Sequence, residues 1–162
     1  SMDATELLEQ QHRDLEDLFG EIGQAQDVHE KQEFFNILAD TFAIHSAIEE
    51  RIFYPAVKAK QTEDLLGDAY QEHLQTRRLL TDCLRLGVTD VLFEGKCNVL
   101  KDEVAQHIHQ EEHTLLPKVR MLLDADAREA LGQEMTSLMV DLQEQPKPRD
   151  SVLGELEQNP PF

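Results

Sequence analysis

Apolar residues recur every three or four positions along most of this chain, the spacing that lines one face of an α-helix. Four long stretches follow this pattern, at about residues 3–26, 30–60, 62–86 and 89–123. A shorter stretch follows at about residues 126–143, and the helix-forming residues Leu, Glu, Gln and Ala are frequent throughout. The chain is therefore predicted to be all-α.

The links between the long stretches are short, which places consecutive helices side by side and antiparallel. We predict an up-down four-helix bundle over residues 1–125, an appended short helix over 126–143 and a tail over 144–162. The tail holds four of the six prolines and few apolar residues, so we expect it to be mobile or loosely docked. Pro55 and Pro117 are expected to kink or stop the second and fourth helices.

One motif occurs twice. HSAIEERIFYP at residues 45–55 and HIHQEEHTLLP at 107–117 both read His-x-x-x-Glu-Glu, then four residues, then Pro. On an ideal helix Glu49 lies about 40° from His45, on the apolar face that points into the bundle. Glu50 lies about 140° from His45 on the same helix and is predicted to point outward.

The second copy of the motif gives the same picture. With His107 as the reference, Glu111 lies on the apolar face and Glu112 is predicted to point outward. His109 and His113 fall on the opposite face of this helix and are expected in solvent. The motif thus places one His and one Glu of each copy in the core.

The first and third helices each supply one further histidine on an apolar face, His12 and His73. The distance along the chain from His12 to His45 is 33 residues, and from His73 to His107 it is 34. The sequence therefore predicts two similar helical hairpins, each carrying a His and then a His-x-x-x-Glu.

These buried polar residues need a partner, because an ionised carboxylate in a core costs several kcal/mol unless it is paired or bound to a metal. Imidazole together with carboxylate suits iron, manganese or zinc rather than calcium or magnesium. With two six-coordinate irons, four His and two Glu would fill roughly eight of the twelve positions, and an oxo or hydroxo bridge one on each iron. About one position per iron would stay open for O₂, NO or peroxide.

The order His, His-x-x-x-Glu, His, His-x-x-x-Glu resembles the hemerythrin-like (HHE cation-binding) domains over residues 1 to about 123. The flanking strings EERIFYP and EEHTLLP strengthen the match. The resemblance implies a four-helix bundle that holds two non-haem iron ions bridged by carboxylates. By motif position it implies four terminal ligands and two bridging ones, namely His12, His45, His73 and His107, with Glu49 and Glu111.

One position departs from the oxygen-carrying hemerythrins, which have a second histidine one turn after the third-helix histidine. This chain has Arg77 there, so it resembles the iron-sensing and iron-sulfur-repair branches of the family more than the O₂ carriers. A protonated arginine cannot be a ligand, and Arg77 either reaches a carboxylate near the site or extends outward. Tyr70, about 60° from His73, either lines the same pocket or is an aromatic at the edge of the core.

Composition limits the partners. The chain carries 33 acidic and 15 basic residues, a formal net charge of -18, which argues against nucleic acid and anionic membranes. Cys83 and Cys97 are not part of a CxxC pair and are expected to be packed thiols. No apolar stretch reaches the ~20 residues of a membrane span and no signal peptide opens the sequence, so the cytoplasm is the expected compartment.

Other classes of protein fit the sequence less well. A ferritin-like oxidase needs Glu-x-x-His on two helices, and this string occurs once, at residues 9–12. A zinc protease needs His-Glu-x-x-His, and residues 109–113 have Gln in second place. A metal-free interaction bundle leaves six polar core residues unexplained. Within the di-iron class the sequence allows a sensor or binder, with a protein partner on the tail or fifth helix, and an enzyme that reduces peroxide or NO or repairs iron centres.

Overall fold

The structure, a computed structural model, describes residues 2–151. Its helical segments, of which π1 and π2 are π-helical, are α1 (Ala4–Gly23), α2 (Val28–Ile48), π1 (Glu49–Phe53), α3 (Tyr54–Val57), α4 (Glu63–Leu86), α5 (Phe93–Gln110), π2 (Glu111–Leu115), α6 (Leu116–Leu122) and α7 (Ala125–Gln143). No β-strand occurs among residues 2–151. α1 packs against α2, α4 packs against α5, and α7 is the extra helix, which confirms the predicted all-α bundle.

Local sequence signals set most helix ends. The Asp3 side chain accepts a hydrogen bond from the backbone N–H of Glu6, and the Glu6 side chain accepts one from the backbone N–H of Asp3. This reciprocal cap confirms the predicted start of α1. α4 ends before Gly87, as predicted, because Gly87 adopts a φ of 79° that side chains disfavour.

The start of α5 differs from the prediction. The sequence suggested a start near Thr89 and Asp90, but α5 begins at Phe93. The Asp90 carboxylate accepts a hydrogen bond from the backbone N–H of Leu92 at 2.8 Å. That contact closes a turn before the helix, which is a common alternative use of an aspartate.

The two motif prolines do not stop their helices. Each follows a π-helical segment, in which a backbone N–H bonds the carbonyl five residues back, as Tyr54 does to Glu49. Pro55 and Pro117 then fall in the first turn of α3 and α6, where a missing N–H needs no partner. Of the two predicted effects, a kink or a stop, the stop does not occur, and the wider π turn lies at the motif glutamates.

The core consists of two apolar clusters separated along the bundle. One cluster joins the distal halves of the α1–α2 and α4–α5 hairpins, through side chains that include Leu15, Phe35, Leu80 and Leu100. The other joins the opposite end to α7, through side chains that include Leu8, Phe53, Leu116 and Met135. The motif His and Glu residues occupy a polar layer between these clusters.

Helix α7 fits closely against the start of the chain. A Cβ atom at Gly132 would lie 2.6 Å from the carbonyl oxygen of Met2, so no larger residue fits there without movement. Beyond α7, Arg149 binds the Asp40 carboxylate at 3.0 Å, which docks the first part of the predicted tail. The rest of the tail, 152–162, lies outside the described residues. None of the described helices is long and apolar enough to cross a membrane.

Candidate metal centre

The polar layer brings together all six side chains that the sequence predicts as ligands. Their donor atoms form two groups, and within each group the atoms lie within 4.8 Å of one another. The first group comprises His12, His45, Glu49 and Glu111, and the second comprises Glu49, His73 and His107. Every one of the six is buried, the most exposed being His107 at 5%. The α1–α2 hairpin thus supplies the histidines of one group and the α4–α5 hairpin those of the other.

Two carboxylates connect the groups. Each carboxylate lies close to the Nε2 atom of one histidine from each hairpin. The distances are 3.0 Å to His45 and 2.9 Å to His73 for Glu49, and 3.0 Å to His12 and 3.4 Å to His107 for Glu111. A ligand shared between two metal ions needs this placement.

The Nδ1 atom of every histidine in the layer is held by an oxygen acceptor on the side away from the groups. These acceptors are Glu112 for His12 (2.6 Å), Gln11 for His45 (2.7 Å), Glu50 for His73 (2.6 Å) and Glu72 for His107 (2.9 Å). A carboxylate or amide oxygen can only accept, so each Nδ1 carries the proton and donates it. In the neutral ring the Nε2 lone pair then points inward, the arrangement found in metal-ligating histidines.

These residues fit a cation. Within the described chain, three inward atoms make no hydrogen bond of good geometry, namely Nε2 of His45, Oε2 of Glu49 and Nε2 of His107, although both nitrogens lie within 3.4 Å of a carboxylate. A buried polar atom without a partner costs about 1–3 kcal/mol, and a bound cation would remove that cost. The remaining His–Glu contacts show that the carboxylates are partly paired by imidazole, which the sequence argument did not anticipate. Mixed nitrogen and oxygen donors suit iron, manganese or zinc.

Burial and the neighbouring carboxylates together set the pKa of each histidine. Burial alone would lower the pKa of His12, but its bonds to Glu111 and Glu112 outweigh burial and raise the pKa to about 9. The pKa values of His73 and His107 are raised in the same way against burial, by neighbouring carboxylates. For His45, burial outweighs the nearby Glu49 carboxylate, and its pKa is lowered. Metal binding requires the neutral imidazole, so a metal ion competes with protons at these rings.

Glu50 and Glu112 do not point into solvent, and that prediction was wrong. Glu50 is 7% exposed and accepts hydrogen bonds from His73 and from the Arg77 guanidinium. Burial would raise the pKa of Glu50, but His73 and Arg77 together lower it. Of the two alternatives for Arg77, the structure shows the contact with a carboxylate beside the site, and Arg77 is 2% exposed.

Glu112 repeats this arrangement at the other group. It accepts from His12 and forms a two-pronged pair with Arg13, at 2.8 and 3.0 Å. The Arg13 side chain is 49% exposed, however, whereas that of Arg77 is buried. The first Glu of each Glu-Glu pair therefore faces the groups, and the second supports a histidine from another helix.

Tyr54 is a site residue that the sequence argument left aside. It is fully buried, and its hydroxyl donates a hydrogen bond to Glu111 Oε2 at 2.7 Å. Its ring stacks on His73, with 5.6 Å between centroids. Burial and the charges of Glu111 and Glu49 raise the pKa of Tyr54 well above its usual value, so the hydroxyl keeps its proton. Tyr70, predicted either to line the pocket or to be an aromatic at the edge of the core, is buried on α4.

The histidines predicted to lie away from the site do so. His109 and His113 are exposed on the outer face, stacked 4.1 Å apart by ring centroids. The Nδ1–H of His113 donates to the backbone carbonyl of His109. Neither residue belongs to the two donor groups.

A family model described as the hemerythrin HHE cation binding domain matches residues 3–119. The chain therefore belongs to this family of cation-binding helical bundles. A crystal structure of a hemerythrin HHE cation binding domain-containing protein from Mycobacterium kansasii superposes with a TM-score of 0.78 at 26% identity. The match covers 98% of this chain and 94% of that one.

Curated relatives give no agreed activity. An uncharacterised protein of Mycobacterium tuberculosis is 26% identical over 147 residues, 90% of each chain. A protein of Nostoc sp. named DNA nickase is 26% identical over 143 residues, 88% of this chain and 41% of the relative. This chain thus spans about two fifths of the length of the Nostoc relative.

Proposed function

We propose that this protein binds two non-haem iron ions, with terminal ligands His12, His45, His73 and His107 and bridging ligands Glu49 and Glu111. The observation that carries the proposal is the orientation of the four imidazoles. Each Nδ1 is held by an acceptor, so each Nε2 faces one of two donor groups that share a carboxylate. The bound iron pair would supply reversible one-electron chemistry toward small oxygen and nitrogen ligands.

The function we propose is the handling of O₂, NO or peroxide at this centre, for sensing, binding or stress defence. The layer lies between two apolar clusters, which restrict water and favour small uncharged ligands. Arg77 occupies the position of the additional histidine of O₂ carriers and is engaged with Glu50, so reversible O₂ transport is not part of the proposal.

The alternative is an enzyme that reduces peroxide or NO or repairs iron centres. The Tyr54 hydroxyl favours the enzyme alternative. It is buried and donates to Glu111, so it could supply a proton to a ligand bound at the centre. We do not extend the nickase activity of the Nostoc relative to this chain. The match covers only 41% of that protein, and this chain's net charge of -18 repels DNA phosphates.

Rapid mixing of the reduced, iron-loaded protein with O₂, peroxide and NO tests the proposal. A lasting optical change with one ligand supports binding or sensing. Repeated consumption of peroxide or NO supports the enzyme, and Tyr54→Phe should then slow the reaction while iron content stays the same. An iron-loaded protein that responds to none of the three would contradict the proposed function.

A further inference from the structure

A small cleft of about 10 Å³, room for about one water molecule, lies beside the centre between α4 and α5. The cleft there is lined by Glu72, His107, Gln110 and Glu111, with Leu65, Ala69 and Leu115 around them. It reaches one candidate ligand from each donor group, since His107 belongs to the second group and Glu111 to the first. His107 is also the most exposed of the six candidate ligands.

The two hairpins differ at this point. In the α4–α5 hairpin the acceptor for the second histidine is Glu72, whose side chain is 23% exposed. The corresponding acceptor in the α1–α2 hairpin is Gln11, which is 6% exposed and lies under α7, with its amide 3.7 Å from the sulfur of Met139. A cleft ends at Gln11 and Met139, but the residues that line it include none of the six candidate ligands. Among residues 2–151, the Glu72 side combines a charged, partly exposed acceptor with a cleft that candidate ligands line.

We propose that the α4–α5 cleft is the path by which a divalent cation reaches the centre, and that Glu72 is the first residue to bind it. This inference rests on the proposed function, which makes the cation ferrous iron. Glu72 Oε1 accepts the His107 Nδ1–H at 2.9 Å, so the carboxylate stands directly beside a terminal ligand. The second Glu72 oxygen can bind a hydrated cation in place of one of its water molecules. The cation would then pass to Nε2 of His107 and the carboxylate of Glu111. Glu72 is therefore the entry ligand in metal uptake.

The test measures how fast the metal-depleted full-length chain takes up ferrous iron without oxygen. Samples are quenched at set times with a ferrous chelator, and the final iron content is measured separately. A unit charge a few ångströms from the path of a divalent cation changes the uptake rate by about tenfold. Glu72→Gln and Gln110→Lys should therefore slow uptake about tenfold, and Gln110→Glu should accelerate it. The final iron content of the two Gln110 variants should stay that of the wild type.

Two matched variants separate a local effect from general charge. Asp102→Asn removes the same charge from the exposed surface of α5 and should leave the rate unchanged. Gln11→Glu places a carboxylate at the corresponding position under α7 and should not accelerate uptake. Circular dichroism confirms that each variant is folded.

Two results would overturn the path. One is uptake at the wild-type rate by Glu72→Gln and Gln110→Lys. The other is a normal rate with iron lost from Glu72→Gln, which would mean that Glu72 only orients His107. If the wild-type chain takes up no iron at all, the proposed function itself fails. If the wild type takes up iron and the variants do so at the same rate, only the proposed path fails.

Discussion

Replacing Glu50 by Gln removes the charge that joins Arg77 to His73. Arg77 is 2% exposed and the Glu50 side chain 10% exposed, so the variant removes a carboxylate from contact with a buried guanidinium. Breaking such a buried pair costs about 3–5 kcal/mol, and we expect about 3 kcal/mol because the carboxylate is not completely buried. For a chain of this size that loss lowers the melting temperature by about 6–12 °C.

Glu112→Gln is the matched control. Glu112 also accepts from a histidine and pairs with an arginine, but the Arg13 side chain is 49% exposed. An exposed ion pair contributes about 0–1 kcal/mol, so together with a weaker bond to His12 the expected cost is about 1 kcal/mol. Both variants keep the size of the side chain, and burial of the partner arginine is the main difference between them.

Urea denaturation of the metal-depleted variants, followed by circular dichroism, measures both costs. The double variant Glu50→Gln with Arg77→Met should recover part of the loss, because the buried guanidinium that lost the Glu50 carboxylate is then removed as well. Equal costs for Glu50→Gln and Glu112→Gln, or no recovery in the double variant, would refute the reasoning about the Arg77 pair.

Three further predictions concern other parts of the molecule. His107→Ala should lose half or more of the bound iron whereas exposed His109→Ala should keep it, and equal losses in metal analysis would contradict the assignment. Gly132→Ala should lower the unfolding free energy by about 1–3 kcal/mol in denaturant, because its Cβ would meet the Met2 carbonyl; unchanged stability would show that α7 adapts without cost. Tyr54→Phe should cost about 1–2 kcal/mol through its lost bond to buried Glu111, and a variant as stable as wild type would refute that contribution.

The sequence was sufficient for the bundle and for the inward faces of the helices. Apolar periodicity located α1, α2, α4 and α5, and the doubled motif placed His45 and His107 correctly because each precedes its π segment. Up to those residues the helix has the ideal turn that the angular argument assumes. Where the helix is regular, the spacing of residues alone predicts which face of the helix each side chain occupies.

The ideal turn fails from the first motif glutamate onward. π1 begins at Glu49, so angles counted from His45 no longer describe Glu50 or Tyr54. For this reason Glu50 was predicted to point outward and Tyr54 was not assigned to the site, although Glu50 supports His73 and Tyr54 contacts Glu111. The proline ten residues after each motif histidine was the available signal, and it marks the end of the π turn rather than the end of the helix.

The acceptors on Nδ1 could not be found from spacing within one helix. Gln11 and Glu72 each precede a candidate ligand, yet each binds the histidine of the next helix in its hairpin. Which partner they reach depends on the rotation of two helices about each other, which is set by packing of the whole bundle. The asymmetry between a buried Gln and a partly exposed Glu has meaning only once that packing is known.

The number of irons per chain, measured by elemental analysis after anaerobic loading with ferrous iron, tests the central claim most directly. The account predicts about two irons in the wild type, with the near-ultraviolet absorption of a bridged ferric pair after exposure to air. Because Glu49 belongs to both donor groups, Glu49→Gln should weaken both irons together. A wild-type chain that holds one tightly bound zinc and takes up no iron would contradict the account.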